Sequence, residues 1–96
     1  MLSKEDILFK LREIKPALID EYSVRRIGLF GSFIDGSNTE DSDIDLLIEF
    51  EKPIGWKFFS LELYLEEYLG RKIDLVTKNA LKSQIRDQIL NQIQYV

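Results

Sequence analysis

Between positions 3 and 22, SKEDILFKLREIKPALIDEY, the apolar residues Ile7, Leu8, Leu11, Ile14, Leu18 and Ile19 keep helical spacing. That three-and-four spacing predicts one helix with a single apolar face. Ser3 stands at the N-cap position, and Asp6 three residues on completes a capping box. Pro16 brings no backbone donor, so a kink or break is expected near residues 12–15. SVRRIGLFG, residues 23–31, then predicts a strand carrying Val24, Ile27, Leu29 and Phe30 and ending on glycine. SFIDGSNTEDS, residues 32–42, is turn chemistry with room for one helical turn opening at Ser32. DIDLLIEF, residues 43–50, alternates strictly: Ile44, Leu46, Ile48 and Phe50 against Asp43, Asp45, Leu47 and Glu49.

After the loop EKPIG, residues 56–70 predict a second long helix closed by Gly70. Its main stripe is Phe58, Leu61, Leu65, Tyr68 and Leu69. A second stripe, Trp56, Phe59 and Leu63, is expected to lie under a neighbouring helix. RKIDLVT, residues 71–77, predicts a third strand with Ile73 and Leu75 on one side and Lys72, Asp74 and Val76 on the other. Residues 79–96 predict a last helix with Asn79 as N-cap and Leu81, Ile85, Ile89 and Ile93 as its stripe. A helix between the second and third strands favours a parallel pair. A loop of about a dozen residues between the first and second allows an antiparallel one. The end of the first strand and the starts of the other two then meet, and with them Gly31, Ser32, Asp43, Asp45 and Asp74.

Composition narrows the chemistry. Ninety-six residues with 45% apolar content suit one core. A net charge of −4 disfavours nucleic-acid binding by bulk electrostatics. With no Cys and no His, zinc sites of the Cys/His type and imidazole bases are excluded. An acidic pair inside the first apolar stretch argues against a signal peptide, and no apolar run approaches a membrane span, so a cytoplasmic protein is expected.

Three aspartates at one end of a sheet repel one another. Two like charges about 4 Å apart cost roughly 4 kcal/mol at an effective dielectric of 20. Protonation, a basic neighbour or a bound cation can each offset that cost. Carboxylate-only sites suit hard ions such as Mg²⁺ or Mn²⁺. Asp43 and Asp45 lie about 7 Å apart along one strand face, close enough to share ions, and Asp74 on the next strand can complete the set. The Gly31–Ser32 turn lets a phosphate approach backbone donors. Each element alone is commonplace: a lone D-x-D is usually a solvated strand face. Together, Gly-Ser, ten intervening residues, D-x-D, and an Asp in a third strand are far more specific.

GLFGSF, SDIDLLIEF, RKIDLVT and the tail QILNQIQYV resemble the minimal nucleotidyltransferase (MNT) family of the DNA polymerase β-like superfamily, across nearly the whole chain. The resemblance implies one nucleotidyltransferase domain over residues 1–96. It implies an α+β fold of the αβαβαβα kind, with a small three-stranded mixed sheet and helices on one face. It implies that Gly31 and Ser32 bind nucleotide phosphates and that Asp43, Asp45 and Asp74 bind two Mg²⁺ ions and carry catalysis. It further implies an NTP, ATP above all, as donor and a HEPN-type toxin as partner, with this chain as the antitoxin. One departure stands out: family members commonly read Gly-Ser-aromatic-Ala-Arg-Gly, and Ile34 and Asp35 stand here at the Ala-Arg pair. One cation is thereby exchanged for a carboxylate. That exchange motivates a rival expectation, a catalytically weak module that neutralises its partner by contact alone. Modification of a small molecule is a third and weaker reading, because 96 residues leave no second domain to hold an acceptor.

Overall fold

The computed structural model describes residues 2–96. Helix α1 (Lys4–Tyr22) opens with the expected capping box. The Ser3 hydroxyl accepts from the Asp6 N–H, and the Asp6 carboxylate accepts from the Ser3 N–H, each at 3.1 Å. These bonds hold the Asp6 carboxyl below its ordinary range. The helix runs through Pro16 without a break. Ser23 reverses the chain in the left-handed region (φ 56°) and hands it to β1 (Val24–Phe30). One turn of helix, α2 (Ser32–Asp35), and an irregular loop lead to β2 (Ile44–Phe50). Helix α3 (Lys57–Leu69) ends at Gly70 in the left-handed conformation and is followed by β3 (Ile73–Thr77).

The last segment differs from the sequence expectation. Residues 79–96 are not one helix capped by Asn79. A 3₁₀ turn (Lys78–Ala80) precedes α4 (Ser83–Gln92), and the chain then adds a short strand, β4 (Gln94–Tyr95). The sheet therefore has four strands rather than three, in the order β3-β2-β1-β4. β1 is antiparallel to β2 and to β4, and β2 is parallel to β3. The α+β architecture with a mixed sheet otherwise stands as expected.

One sheet face builds the main core. Ile27 and Leu29 of β1, Ile44, Leu46 and Ile48 of β2, and Ile73 and Leu75 of β3 meet Ile7, Leu11 and Leu18 of α1 and Leu61 and Leu65 of α3. A register shift between Val24 and Arg26 swings Val24 onto this face too, although simple alternation would send it outward. The opposite face carries a smaller cluster of Phe30, Leu47 and Leu81, against which Ile89, Leu90 and Ile93 of the α4 segment pack. α1 and α3 thus share one face, as expected, while α4 covers part of the other. Gly28 makes that possible. A side chain there would collide with Ile93 and Tyr95, its first carbon only 2.7 Å from Ile93 Cδ1.

The Trp56, Phe59 and Leu63 stripe is not covered. These residues are 85%, 58% and 61% exposed, so the expectation that a neighbouring helix would bury them is overturned. α1 and α3 lie side by side on the sheet and each spends its apolar face there. No helix among the described residues is long and apolar enough to cross a membrane.

α3 supplies a direct check on this orientation. Leu65 is fully buried and Leu63, half a turn away, is 61% exposed. Leu65→Ala is expected to cost about 2–5 kcal/mol. Leu63→Ala is expected to stay within about 0.5 kcal/mol of wild type. Urea unfolding of the two variants reads the difference. Equal losses would mean that α3 is rotated about its axis.

Candidate active site

Register brings the singled-out residues to one end of the sheet. Phe30, the last residue of β1, pairs with Asp45, and Asp45 pairs with Asp74 across the parallel β2–β3 ladder. Adjacent strands lie about 4.8 Å apart, so the two carboxylates start from neighbouring backbones on one face. Asp43 lies two residues before Asp45, where the Ile44 N–H still bonds to the Lys72 carbonyl at 2.9 Å. Asp45 is half-buried, while Asp43 and Asp74 are exposed.

Gly31 turns the chain beside them. Its backbone (φ 79°, ψ −147°) is in a region only glycine enters without strain. A side chain there would run into the Asp45 carboxylate. Its carbonyl accepts from the N–H groups of Ile34 (3.0 Å) and Asp35 (3.1 Å), which starts α2 on the residue after Gly31. Its own N–H donates to the side-chain carbonyl of Gln92 at 2.7 Å. Phe33 is buried in the main core and anchors α2, leaving Ser32 half-buried at the turn.

The electrostatics of the three aspartates are unbalanced. The Asp45 carboxyl is pushed up to about 6, first by burial and then by the charges of Asp74 and Asp43. The ion pairs among the described residues are Arg25–Glu51 (3.9 Å) and Arg26–Glu49 (3.4 Å), so none of the three is matched by a protein cation. Arg26 also stacks on the Tyr95 ring, 3.7 Å from its centroid, well away from the aspartates. Lys78 lines a cavity of about 350 Å³ with Lys52 and Pro53, beyond the far ends of β2 and β3. Lys72 stands two residues before Asp74, exposed, at the start of the β3 segment. The aspartates line neither that cavity nor a second of about 380 Å³ at Asp20, Tyr22 and Lys57. Asp43 and Asp74 lie exposed at the edge of the sheet.

Asp35 is used within its own turn. Its carboxylate accepts from the Ser37 N–H (2.8 Å) and hydroxyl (2.6 Å), bonds that hold it below the ordinary carboxylate range. The next stretch is fixed by a residue that sequence reasoning missed. The Arg71 guanidinium donates to the carbonyls of Thr39 (2.9 Å) and Glu40 and lies over the Phe33 ring, 5.6 Å from its centroid. It ties the loop before Asp43 to the strand that carries Asp74. Nothing in the spacing around Arg71 marks such a contact, because its partners are backbone carbonyls 31 and 32 residues away.

Metal fit can be judged from the donors. Three carboxylates without a cation, one of them driven toward its neutral form, suit a hard divalent ion. As the side chains are placed, no group of three or more carboxylates among the described residues already surrounds one point. The donor chemistry fits; a closed ligand cage is not preformed.

Two outcomes follow from this geometry. Gly31→Ala is expected to cost about 1–3 kcal/mol in unfolding experiments, from backbone strain alone, with further loss from the Asp45 contact. The second outcome concerns pH in metal-free buffer. The Asp45 carboxyl titrates near 6 in the folded protein, above the ordinary 3.8. Between those values the folded protein holds a proton that the unfolded chain has released, so this group's contribution to stability falls as pH rises. The loss runs through about pH 6 and ends about one pH unit above it, and solvent screening of the half-exposed carboxyl keeps it below what the full shift would give. Asp45→Asn is expected to remove that slope and to be the more stable protein at neutral pH, as read by urea midpoints across the window.

Comparison with known proteins agrees with this arrangement. The nucleotidyltransferase domain family matches residues 11–96. Protein adenylyltransferase MntA of Thermococcus cleftensis is 45% identical over the whole of this chain and 98% of its own. A solved structure described as a minimal nucleotidyltransferase superposes with a TM-score of 0.78 at 33% identity, covering 97% of this chain and 95% of that one. A chain from the complex of a tri-AMPylated Shewanella oneidensis HEPN toxin with an MNT antitoxin shares the fold, with a TM-score of 0.65 at 21% identity over 93% of this chain and 70% of that one. With the family match spanning residues 11–96 and a relative 45% identical over the whole chain, this chain belongs to the nucleotidyltransferase-domain family, in its minimal branch.

Proposed function

We propose that this chain transfers AMP from ATP to a hydroxyl group of a HEPN-type toxin and is the cytoplasmic antitoxin of such a pair. The observation that carries the reading is the half-buried Asp45. It sits in register with Asp74, near Asp43, and directly beside the Gly31 turn. The relative named protein adenylyltransferase supports the choice of adenylyl group. The HEPN–MNT complex that shares the fold supports the partner.

Asp43, Asp45 and Asp74 would hold Mg²⁺, with Mn²⁺ as a substitute. When bound, such ions neutralise triphosphate charge and orient the in-line displacement. The chain's own residues do the rest. The side-chain-free Gly31 lets the turn pack directly against the Asp45 carboxylate, so a phosphate held at the turn would lie next to the metal-binding aspartates. Ser32 offers its hydroxyl and N–H to the phosphate oxygens. Asp74, exposed at the edge, faces an incoming acceptor and can take its proton. A bond forms between the acceptor oxygen and the α-phosphorus, the α–β anhydride bond breaks, and pyrophosphate leaves. Arg71 keeps the loop before Asp43 in place during this exchange. With Asp43 and Asp74 exposed at the edge of the sheet, a partner surface would provide the rest of the pocket.

A second reading, neutralisation by contact alone, draws on the exposed Trp56, Phe59 and Leu63. An apolar strip of this kind on a helix is a candidate docking face. The two readings separate in one assay. Protein, Mg²⁺ and α-labelled ATP are incubated with a HEPN-type toxin from the neighbouring gene. Label is expected on the toxin, and Asp43→Asn and Asp45→Asn are each expected to lower transfer about a hundredfold or more. Full neutralisation of the toxin by those variants, with no label transferred by wild type, would favour contact alone.

A further inference from the structure

We propose that Gln92 is a positioning residue for the phosphate-facing turn. Its side-chain carbonyl holds the Gly31 N–H, so the seating of α4 and β4 sets the conformation in which the turn meets Asp45. The inference deepens the proposed function and rests on it for its catalytic consequence, but not for its structural part.

The contact spans 61 residues and is the only hold on the Gly31 N–H among the described hydrogen bonds. The backbone nitrogen can only donate, so the Gln92 atom facing it must be the carbonyl oxygen, whichever way a side-chain amide is assigned elsewhere. At 2.7 Å the bond is short for N–H···O. Gly31 needs such a hold. It has no side chain, its backbone occupies a region few residues visit, and a glycine samples many others when released. Its carbonyl is fixed from one side by α2, through Ile34 and Asp35. Gln92 fixes the other side of the same residue.

The pairing also assigns work within the turn. An N–H already donated to Gln92 is not offered to a phosphate, so Gly31 contributes the close approach of the turn to Asp45 and Ser32 contributes donors. A neutral amide suits this place. A carboxylate at 92 would accept the same bond but add a fourth negative charge beside three aspartates and a triphosphate.

Gln92 is the last residue of α4, and α4 is lightly held. None of its residues is fully buried. It rests on Leu47, Phe30 and Leu81 through Ile89, Leu90 and Ile93, and on β4, which pairs Tyr95 with Gly28 and Gln94 with Leu29 and is continued by the Val96 N–H donating to the Ile27 carbonyl at 3.0 Å. Elements with few buried apolar contacts are those that open most readily. A shift of α4 would therefore reach Gly31 through one side chain.

The test reads Gly31 directly. In ¹⁵N-labelled protein, Gln92→Met removes the acceptor at nearly constant length. The Gly31 amide proton is expected to move upfield and to exchange with solvent about fivefold faster or more, with the sheet amides unchanged. Gln92→Asn, one methylene shorter, is expected to behave like Gln92→Met. Gln92→Glu, which keeps the acceptor, is expected to restore both the shift and the protection. In the transfer assay Gln92→Met is expected to raise the KM for ATP several-fold while leaving kcat within about twofold. An unchanged Gly31 amide in both the Met and Asn variants, or no restoration by Glu, overturns the proposal even if the enzyme is active. Loss of transfer in wild type would instead remove the proposed function and leave the amide result standing. Should Gln92→Met fail to fold, Gln92→Asn decides.

Discussion

The pairing of Asp45 with Asp74 across the β2–β3 ladder is the constraint on which the rest of the molecule depends. Parallel register puts two carboxylates side by side with no protein cation between them, and the fold tolerates it. Burial and the neighbouring charges drive Asp45 toward its protonated form. Slipping β3 by one residue would relieve the repulsion, but it would turn Ile73 and Leu75 out of the core. The apolar face thus enforces the electrostatic conflict on the opposite face. Stability built by α1, α3 and one side of the sheet is spent holding charged groups where a ligand can use them.

The same division of faces explains the small second core. β2 alternates between the main core and a surface that is charged at Asp45 but apolar at Leu47. That surface cannot be left wholly to solvent. α4 and β4 cover its middle, and Gly28 gives them room. Gln92 then reaches past the covered part to the Gly31 turn at the uncovered end. The covering element and the site are neighbours because the apolar and charged parts of one strand face are neighbours.

What could be read from the sequence follows from how local each signal is. The capping box at Ser3 and Asp6, the β2 alternation and the Gly70 stop are set by residues close in the chain, and the structure keeps them. Strand order followed from loop lengths, and with it the convergence of Gly31, Asp43, Asp45 and Asp74 at one end. The tail was misread because its apolar residues at 81, 85, 89 and 93 hold a helical period across a segment whose ends are not helical. A two-residue strand has no period of its own, and only the space above Gly28 defines it. The Trp56 stripe misled for the opposite reason: its spacing is that of a buried face, and nothing local shows that α1 is already spent on the sheet. Arg71 and Gln92 left no sequence signal, since each acts on backbone groups far along the chain.

Asp35 shows how a substitution at a motif position should be weighed. A carboxylate in place of an arginine changes the local field by two charges, and near a triphosphate that is a large perturbation in principle. Geometry limits it. The Asp35 carboxylate is exposed and committed to Ser37, so water screens it and its own turn absorbs its acceptors. No ion pair among the described residues brings a basic side chain to Asp43, Asp45 or Asp74. Under the proposed function the missing cation would have to come from bound metal or from the partner. Under the same proposal, three carboxylates at an exposed sheet edge fit chemistry that a second protein completes.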